Sequence, residues 1–123
     1  MARLLVVDDS IDVVQLLSEM LRREGHEVDV ANNGVEALDA INGGIAYDVV
    51  ISDLIMPELD GFGLVCKLKE AGNPIPIIVL SGGGVTLKSD DALKAVENLV
   101  SGVLKKPIKC DELLEKIDAA MSA

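Results

Sequence analysis

A regular alternation of short apolar runs with longer amphipathic segments constrains the fold of this chain more than any other feature. Runs of this length that are apolar on both faces are typical of strands in a parallel sheet, which is covered by helices on each side. We therefore predict strands at residues 4–7, 28–31, 49–51, 77–80 and 103–104.

The segments between these strands carry apolar side chains at helical spacing. In residues 12–23, Val13, Leu17 and Leu21 fall on one face, and Gly25 follows where a glycine that ends a helix is favoured. The same pattern predicts helices at residues 35–41, 62–71, 92–100 and 111–121. Strands and helices that alternate five times predict one α/β domain over residues 1–123, with a doubly wound five-stranded sheet between two helical layers.

Composition and charge narrow the possible functions. Half of the residues are hydrophobic but only 2% are aromatic, so we expect an aliphatic core. The formal charge of −10 disfavours nucleic acid and anionic membrane surfaces as partners. No run approaches the roughly 20 apolar residues that span a bilayer, and Cys66 and Cys110 lack the spacing of a zinc site or a disulfide framework. These features favour a cytoplasmic protein.

Polar residues follow three of the predicted strands directly: Asp8 and Asp9, then Asp53 after Ser52, and Ser81. Ligands bind outside the carboxyl ends of parallel strands where the strand order reverses, which in the flavodoxin-like order 2-1-3-4-5 lies between strands one and three. The three aspartates should therefore meet. Three adjacent carboxylates repel one another unless a cation lies between them, and oxygen ligands of this kind suit Mg²⁺.

A pocket that holds Mg²⁺ beside carboxylates is suited to phosphoryl transfer, because the metal also binds phosphate oxygens. One carboxylate would then be the nucleophile. Ser81 at the end of the fourth strand and a lysine after the fifth could both reach a phosphoryl group held over Asp53. The lysine would neutralise phosphoryl oxygens and the serine hydroxyl would donate a hydrogen bond.

Four sequence segments together resemble the receiver family of bacterial two-component response regulators, and the resemblance covers the whole chain. The segments are VVDD at 6–9, SDLIMPELDG at 52–61, Ser81 at a strand end and KP at 106–107. The resemblance implies that Asp53 is the phosphoacceptor and that Ser81 and Lys106 contact the phosphoryl group. Lys106 is favoured over Lys105 because the family lysine directly precedes a proline that is typically cis.

The resemblance also implies a metal site and partners. Mg²⁺ would be bound directly by Asp9, Asp53 and the backbone carbonyl of Ile55, while Asp8 would act largely through metal-bound water. A histidine kinase or phosphotransfer protein would supply the phosphoryl group. The chain would resemble stand-alone chemotaxis-type receivers without an effector domain, and would catalyse only its own phosphorylation and dephosphorylation. It would be a monomer or a phosphorylation-dependent dimer.

Three departures from the family pattern lie on the output side. Phosphorylation would change the face formed by residues 92–100, strand 103–104 and helix 111–121, where a downstream protein would bind. The family usually carries Tyr or Phe three residues before the lysine, but this chain has Val103; it also has three glycines at 82–84 and Ile108 where Phe is frequent. These departures leave open a receiver that acts as a scaffold without switching.

Two other functions compete with signalling. A small haloacid-dehalogenase-like phosphohydrolase also combines Asp, Ser, Lys and Mg²⁺, but its nucleophile lies on strand one, where this chain has DDS rather than Asp-x-Asp. A flavodoxin-like cofactor binder would need a glycine-rich loop after strand one and aromatic residues around the flavin. The sequence has neither, so it favours the phosphoacceptor.

Overall fold

The computed structural model describes residues 2–54, 59, 61–82 and 99–122. The strands in this part of the chain are β1 (Arg3–Val7), β2 (Glu27–Ala31), β3 (Val49–Asp53), β4 (Ile77–Ser81) and β5 (Gly102–Lys105). The helices are α1 (Ile11–Arg23), α2 (Gly34–Asn42), α3 (Gly61–Glu70) and α4 (Cys110–Ser122). None of these described helices is long and apolar enough to cross a membrane.

The five strands form one parallel sheet in the order β2-β1-β3-β4-β5, which confirms the predicted topology. Strands β3 and β4 are buried along their whole length because helices cover both faces of the sheet. One apolar cluster packs the sheet against α1 and α4: Leu4, Val6, Ile51, Leu17, Leu21, Leu113 and Ile117. The other packs it against α2 and α3: Leu5, Val7, Val50, Ala37, Leu64 and Leu68. Alternate residues of each strand thus supply the two halves of an aliphatic core.

The predicted ends of the strands and helices lie within one residue of the observed ends, with two exceptions. Strand β3 continues two residues further than predicted, because Ser52 and Asp53 pair with Val79 and Leu80 of β4. The predicted helix at residues 92–100 does not reach its predicted end. Leu99 and Val100 form a turn, since the Ser101 amide already donates to the Ile77 carbonyl and so leads into β5. Residues 92–98 lie outside the described part of the chain.

A polar network joins the amino-terminal side of the sheet, at the opposite end from the acidic residues. The Tyr47 hydroxyl donates to Asp29 Oδ2 over 2.7 Å, and Arg3 Nη2 donates to the same oxygen over 3.0 Å. The hydrogen bond from Tyr47 lowers the pKa of Asp29, while burial and the Asp29 carboxylate raise the pKa of Tyr47 to about 12. The network ties β1 and β2 to the segment that leads into β3.

Titration of Tyr47 is expected to show this network directly, because the chain has one tyrosine and no tryptophan. The near-ultraviolet absorbance of tyrosinate should rise near pH 12 in the folded protein rather than near the ordinary tyrosine pKa of about 10. The protonated phenol stabilises the fold fully below the unfolded pKa, and this stability is lost as the pH rises through the folded pKa. The variant Asp29→Asn should move the transition back toward the ordinary value; a wild-type transition at that value would contradict the prediction.

Candidate functional site

Three aspartates meet at the carboxyl ends of β1 and β3. One carboxylate oxygen from each of Asp8, Asp9 and Asp53 lies within 4.8 Å of the other two, as the strand-end pattern predicts. Asp8 and Asp53 are buried, with 1% and 8% of their surface exposed, whereas Asp9 is exposed. The pocket therefore contains two buried carboxylates, those of Asp8 and Asp53, and one carboxylate, that of Asp9, that is open to solvent.

Strand pairing and a short turn position Asp8. Val7 of β1 pairs with Ser52 of β3, so the residues that follow them lie side by side. The Ser10 amide donates to Asp8 Oδ1 over 2.9 Å, and the Ser10 side chain caps α1 by accepting from the Val13 amide. Sequence reasoning missed this role of Ser10, although a serine directly before a helical pattern is a recognisable capping signal.

Lys106 links the two buried acids. Its Nζ atom lies 3.3 Å from Asp8 Oδ2 and 3.3 Å from Asp53 Oδ2. The Lys106–Pro107 peptide bond is cis, and the neighbouring Lys105 is exposed. The structure thus brings Lys106, and not Lys105, to the acidic pocket.

Ser81 is the last residue of β4 and is buried, with 8% of its surface exposed. Its strand lies next to β3, where Leu80 pairs with Asp53. The Ser81 carbonyl accepts a hydrogen bond of 2.8 Å from the Lys106 amide. Ser81 and Lys106 are therefore joined through the backbone, and the Lys106 side chain extends from there to both Asp53 and Asp8.

The pKa shifts of Asp53 and Lys106 indicate that the single positive charge of Lys106 does not balance the negative charge of the buried carboxylates. Burial raises the pKa of Asp53, the charge of Asp8 raises it further, and Lys106 offsets only part of this. Burial alone would lower the pKa of Lys106, but Asp53 and Asp8 outweigh burial and raise it. An added cation would therefore be attracted to the carboxylates.

Without metal, Asp53→Asn is expected to stabilise the protein by about 1 kcal/mol at neutral pH. A carboxyl with a raised folded pKa favours folding at low pH, and that advantage is lost as the pH rises through the folded pKa. The charged form therefore opposes folding at neutral pH, and an amide of the same shape removes this effect. Denaturant unfolding in a chelator measures the difference; a less stable variant would count against the raised pKa.

Three backbone hydrogen bonds hold the described parts of the loop after Asp53. The Leu54 amide donates to the Leu80 carbonyl and the Gly61 amide donates to the Leu54 carbonyl, each over 2.9 Å. The Gly34 amide donates to the Leu59 carbonyl over 2.8 Å. Ile55, the expected carbonyl ligand, lies outside the described residues, as do Gly83 and Gly84.

The donor set fits a hard divalent cation. The pocket offers carboxylate oxygens from two strand ends and no nitrogen or sulfur ligand among the described residues, a combination that suits Mg²⁺. Burial and the charge of Asp8 raise the pKa of Asp53, and a bound cation would relieve this repulsion. A doubly wound α/β fold with such a pocket at the switch point of the sheet is suited to phosphoryl chemistry assisted by Mg²⁺.

The family follows from comparison with known proteins. Residues 4–118 match the family described as the response regulator receiver domain, and the chain belongs to this family. Receiver domains are phosphoacceptors that bind Mg²⁺ at an acidic pocket and interact with histidine kinases or phosphotransfer proteins. They are generally not classical enzymes. The pocket of Asp8, Asp9 and Asp53 fits this phosphorylation site.

Relatives and solved structures agree with the family. The chain is 35% identical to a CpxR homolog of Haemophilus influenzae, described as a transcriptional regulatory protein, over 98% of this chain and 51% of that protein. A receiver domain protein from Clostridium thermocellum has a TM-score of 0.88 at 29% identity, over 99% of this chain and 95% of that one. Vibrio cholerae chemotaxis protein CheY4 has a TM-score of 0.82 at 34% identity, over 98% of each chain. The chain spans about half, or less, of the length of the curated relatives it matches.

Proposed function

We propose that Asp53 accepts a phosphoryl group from a histidine kinase or a phosphotransfer protein. The observation that carries this proposal is the position of Asp53 at the end of the central strand β3. Asp8 and Asp9 lie at the end of β1, within 4.8 Å of Asp53, and Ser81 lies at the end of the neighbouring strand β4. Lys106 Nζ lies 3.3 Å from both Asp53 and Asp8. A group bound to Asp53 would be flanked by the acidic pair and by the two hydrogen-bond donors.

Asp8 is poorly placed to be the nucleophile. It is 1% exposed, its Oδ1 accepts from the Ser10 amide and its Oδ2 contacts Lys106. Both oxygens are therefore already bonded. The phosphohydrolase alternative requires the nucleophile on β1, so this geometry and the family membership both favour the phosphoacceptor.

The proposed reaction transfers one phosphoryl group. An Asp53 carboxylate oxygen attacks phosphorus, the P–N bond of phosphohistidine breaks, and the imidazole leaves with the electron pair and takes up a proton. Mg²⁺ bound by Asp9, Asp53 and the Ile55 carbonyl, with Asp8 acting largely through metal-bound water, would neutralise charge on the phosphoryl oxygens. Water later hydrolyses the acyl phosphate, which releases inorganic phosphate and restores the carboxylate.

Two side chains of the chain stabilise the transferred group. The Lys106 ammonium moves from the free carboxylates to the phosphoryl oxygens, where it balances developing charge. The Ser81 hydroxyl donates to another of these oxygens from the end of β4. Phosphorylation thereby pulls Ser81 toward Asp53.

Output is proposed to leave through β5, α4 and the segment between β4 and β5. Residue 103 of β5 is half-buried and pairs with Val79. Because this residue is a valine, the position carries no aromatic ring that could turn inward. Switching would then depend on movement of the backbone after Ser81. Amide exchange in residues 82–104 should change when beryllofluoride is bound; unchanged exchange would favour the scaffold alternative.

Acetyl phosphate tests the phosphoacceptor proposal without the cognate kinase. In Mg²⁺ the wild-type protein should gain the mass of one phosphoryl group, and a chelator or the variant Asp53→Asn should prevent this gain. Wild-type protein that stays unmodified in Mg²⁺, or an Asp53→Asn variant that is modified to the same extent, would refute the proposal.

A further inference from the structure

We propose that Ser52 is a positioning residue for the phosphoacceptor, and this inference rests on the proposed function. Ser52 directly precedes Asp53 in β3, and its hydroxyl donates to the Asp53 carbonyl over 2.9 Å. This bond fixes the peptide group that joins Asp53 to Leu54 and, through it, the carboxyl that accepts the phosphoryl group. Ser52 therefore acts on the backbone of the phosphoacceptor and not on the phosphoryl group itself.

The Ser52 hydroxyl lies in an apolar part of the sheet. Ser52 is 0% exposed, and it pairs with Val7 of β1 on one side and Val79 of β4 on the other. Both valines belong to the buried cluster that packs the sheet against α2 and α3. A hydroxyl buried among aliphatic side chains is costly unless it is hydrogen-bonded, and the Asp53 carbonyl supplies the acceptor. Packing alone would favour an aliphatic residue here, so the serine needs another explanation.

The peptide group held by Ser52 also contacts the carboxyl of the phosphoacceptor. Its amide, that of Leu54, donates to the Leu80 carbonyl of β4 over 2.9 Å. Burial raises the pKa of Asp53, and a hydrogen bond from the same Leu54 amide to the carboxyl lowers it. Because a peptide group is planar, its carbonyl and its amide turn together. A hydroxyl that holds the carbonyl therefore also sets the direction of the amide beside the carboxyl.

The start of α3 confines the same carbonyl from another direction. A Cβ atom built on Gly61 would lie 2.2 Å from the Asp53 carbonyl oxygen, so this oxygen lies directly against the glycine. The Gly61 amide donates to the Leu54 carbonyl over 2.9 Å. The Asp53 carbonyl is thus held by the Ser52 hydroxyl and blocked by α3. Loss of the hydroxyl should allow the peptide group to turn, since contact with Gly61 limits its movement without bonding to the oxygen.

Phosphoryl transfer from acetyl phosphate tests the role of Ser52. At saturating Mg²⁺ and acetyl phosphate, Ser52→Ala should be modified about tenfold more slowly than the wild type, a loss typical of removing a group that orients a reacting or metal-bound side chain. Ser52→Cys should lose a similar factor, because the thiol fills the space of the hydroxyl but is a weak donor. A loss in both variants would assign the effect to the hydrogen bond rather than to a void.

Ser18→Ala is the matched control for a buried serine that bonds to a backbone carbonyl. Ser18 is 4% exposed, and its hydroxyl donates to the Val14 carbonyl over 2.6 Å, within α1 and not to the phosphoacceptor. This variant should keep the wild-type rate at saturation. The carbonyl carbon resonance of Asp53 should shift in Ser52→Cys, which lacks the strong donor, and should stay unchanged in Ser18→Ala. A purely structural role of Ser52 would leave both the saturated rate and this resonance unchanged.

Three results would overturn the inference. They are a wild-type rate in either Ser52 variant, an equal loss of rate in Ser18→Ala, and a Ser52→Cys variant that does not fold, since the last would assign the hydroxyl to the stability of the core. The failure of the proposed function looks different. Wild-type protein that acetyl phosphate does not modify would refute that function, whereas wild-type modification with unchanged rates in both Ser52 variants would refute the role of Ser52 alone.

Discussion

Exchanging Lys106 for methionine is expected to slow phosphoryl transfer to Asp53 about a hundredfold, the effect typical of removing one group that stabilises developing charge. Methionine retains the apolar stem but not the ammonium, which lies 3.3 Å from both buried acids. The rate of modification by acetyl phosphate at saturating Mg²⁺ measures the loss. Lys105→Met is the matched control, because Lys105 is the adjacent lysine and its side chain is exposed.

Lys106→Met is also expected to lower the free energy of unfolding by about 2 kcal/mol at neutral pH in a chelator. This loss is smaller than that expected for breaking a fully buried ion pair, because 27% of the Lys106 side chain is exposed. The loss arises because Asp8 and Asp53 remain buried without their cation. It should shrink as the pH falls, since Asp53, whose pKa is already raised, becomes protonated and neutral. A Lys105→Met variant that loses as much rate or stability would show that Lys106 has no special role.

Gly61→Ala is expected to destabilise the protein by about 3 kcal/mol, the upper range for forcing a methyl group into a packed interior. A Cβ on Gly61 would lie 2.2 Å from the Asp53 carbonyl oxygen and 2.9 Å from Leu54 Cα. Both are backbone atoms, so either α3 moves outward or the peptide of the phosphoacceptor does. Phosphoryl transfer should fall together with stability, as unfolding by denaturant and modification by acetyl phosphate would show.

Gly72→Ala provides the control for Gly61 at the other end of α3. A Cβ there has no atom within 4 Å, and its cost of about 1 kcal/mol comes from a left-handed backbone with φ of 69°. This variant should be mildly destabilised and should keep the wild-type rate of phosphoryl transfer. If both variants lose the same rate, the close contact with Asp53 is not the cause.

The positions of the strands and the meeting of the acids could be predicted from sequence because the strands follow from local patterns and the order 2-1-3-4-5 is the flavodoxin-like order of such sheets. Apolar runs mark the strands, and the parallel arrangement places the residues that follow them at one edge of the sheet. The proximity of Asp8, Asp9 and Asp53 could therefore be predicted without knowledge of side-chain contacts. The family resemblance favours Lys106 over Lys105 because the family lysine directly precedes a proline, and the ion pairs place Lys106 at the pocket.

Contacts between segments far apart in sequence could not be predicted in this way. The bond between Gly34 and Leu59 depends on how α2 lies against the loop after β3, which the pattern of neither segment encodes. The bond from Tyr47 to Asp29 likewise depends on the register of the sheet. The sequence predicts a helix through Leu99 and Val100, but these two residues form a turn because the Ser101 amide donates to the Ile77 carbonyl.

The hydrogen bond between the Ser81 carbonyl and the Lys106 amide has a consequence for timing. The two residues proposed to contact the phosphoryl group lie at the ends of different strands, Ser81 as the last residue of β4 and Lys106 directly after β5, yet this hydrogen bond joins their backbones. They are thus expected to engage and release the group in a single concerted step. A variant that weakens the contact of either residue with the phosphoryl group should shorten the lifetime of both contacts. A single relaxation rate would then describe the return of the whole pocket to its unphosphorylated state.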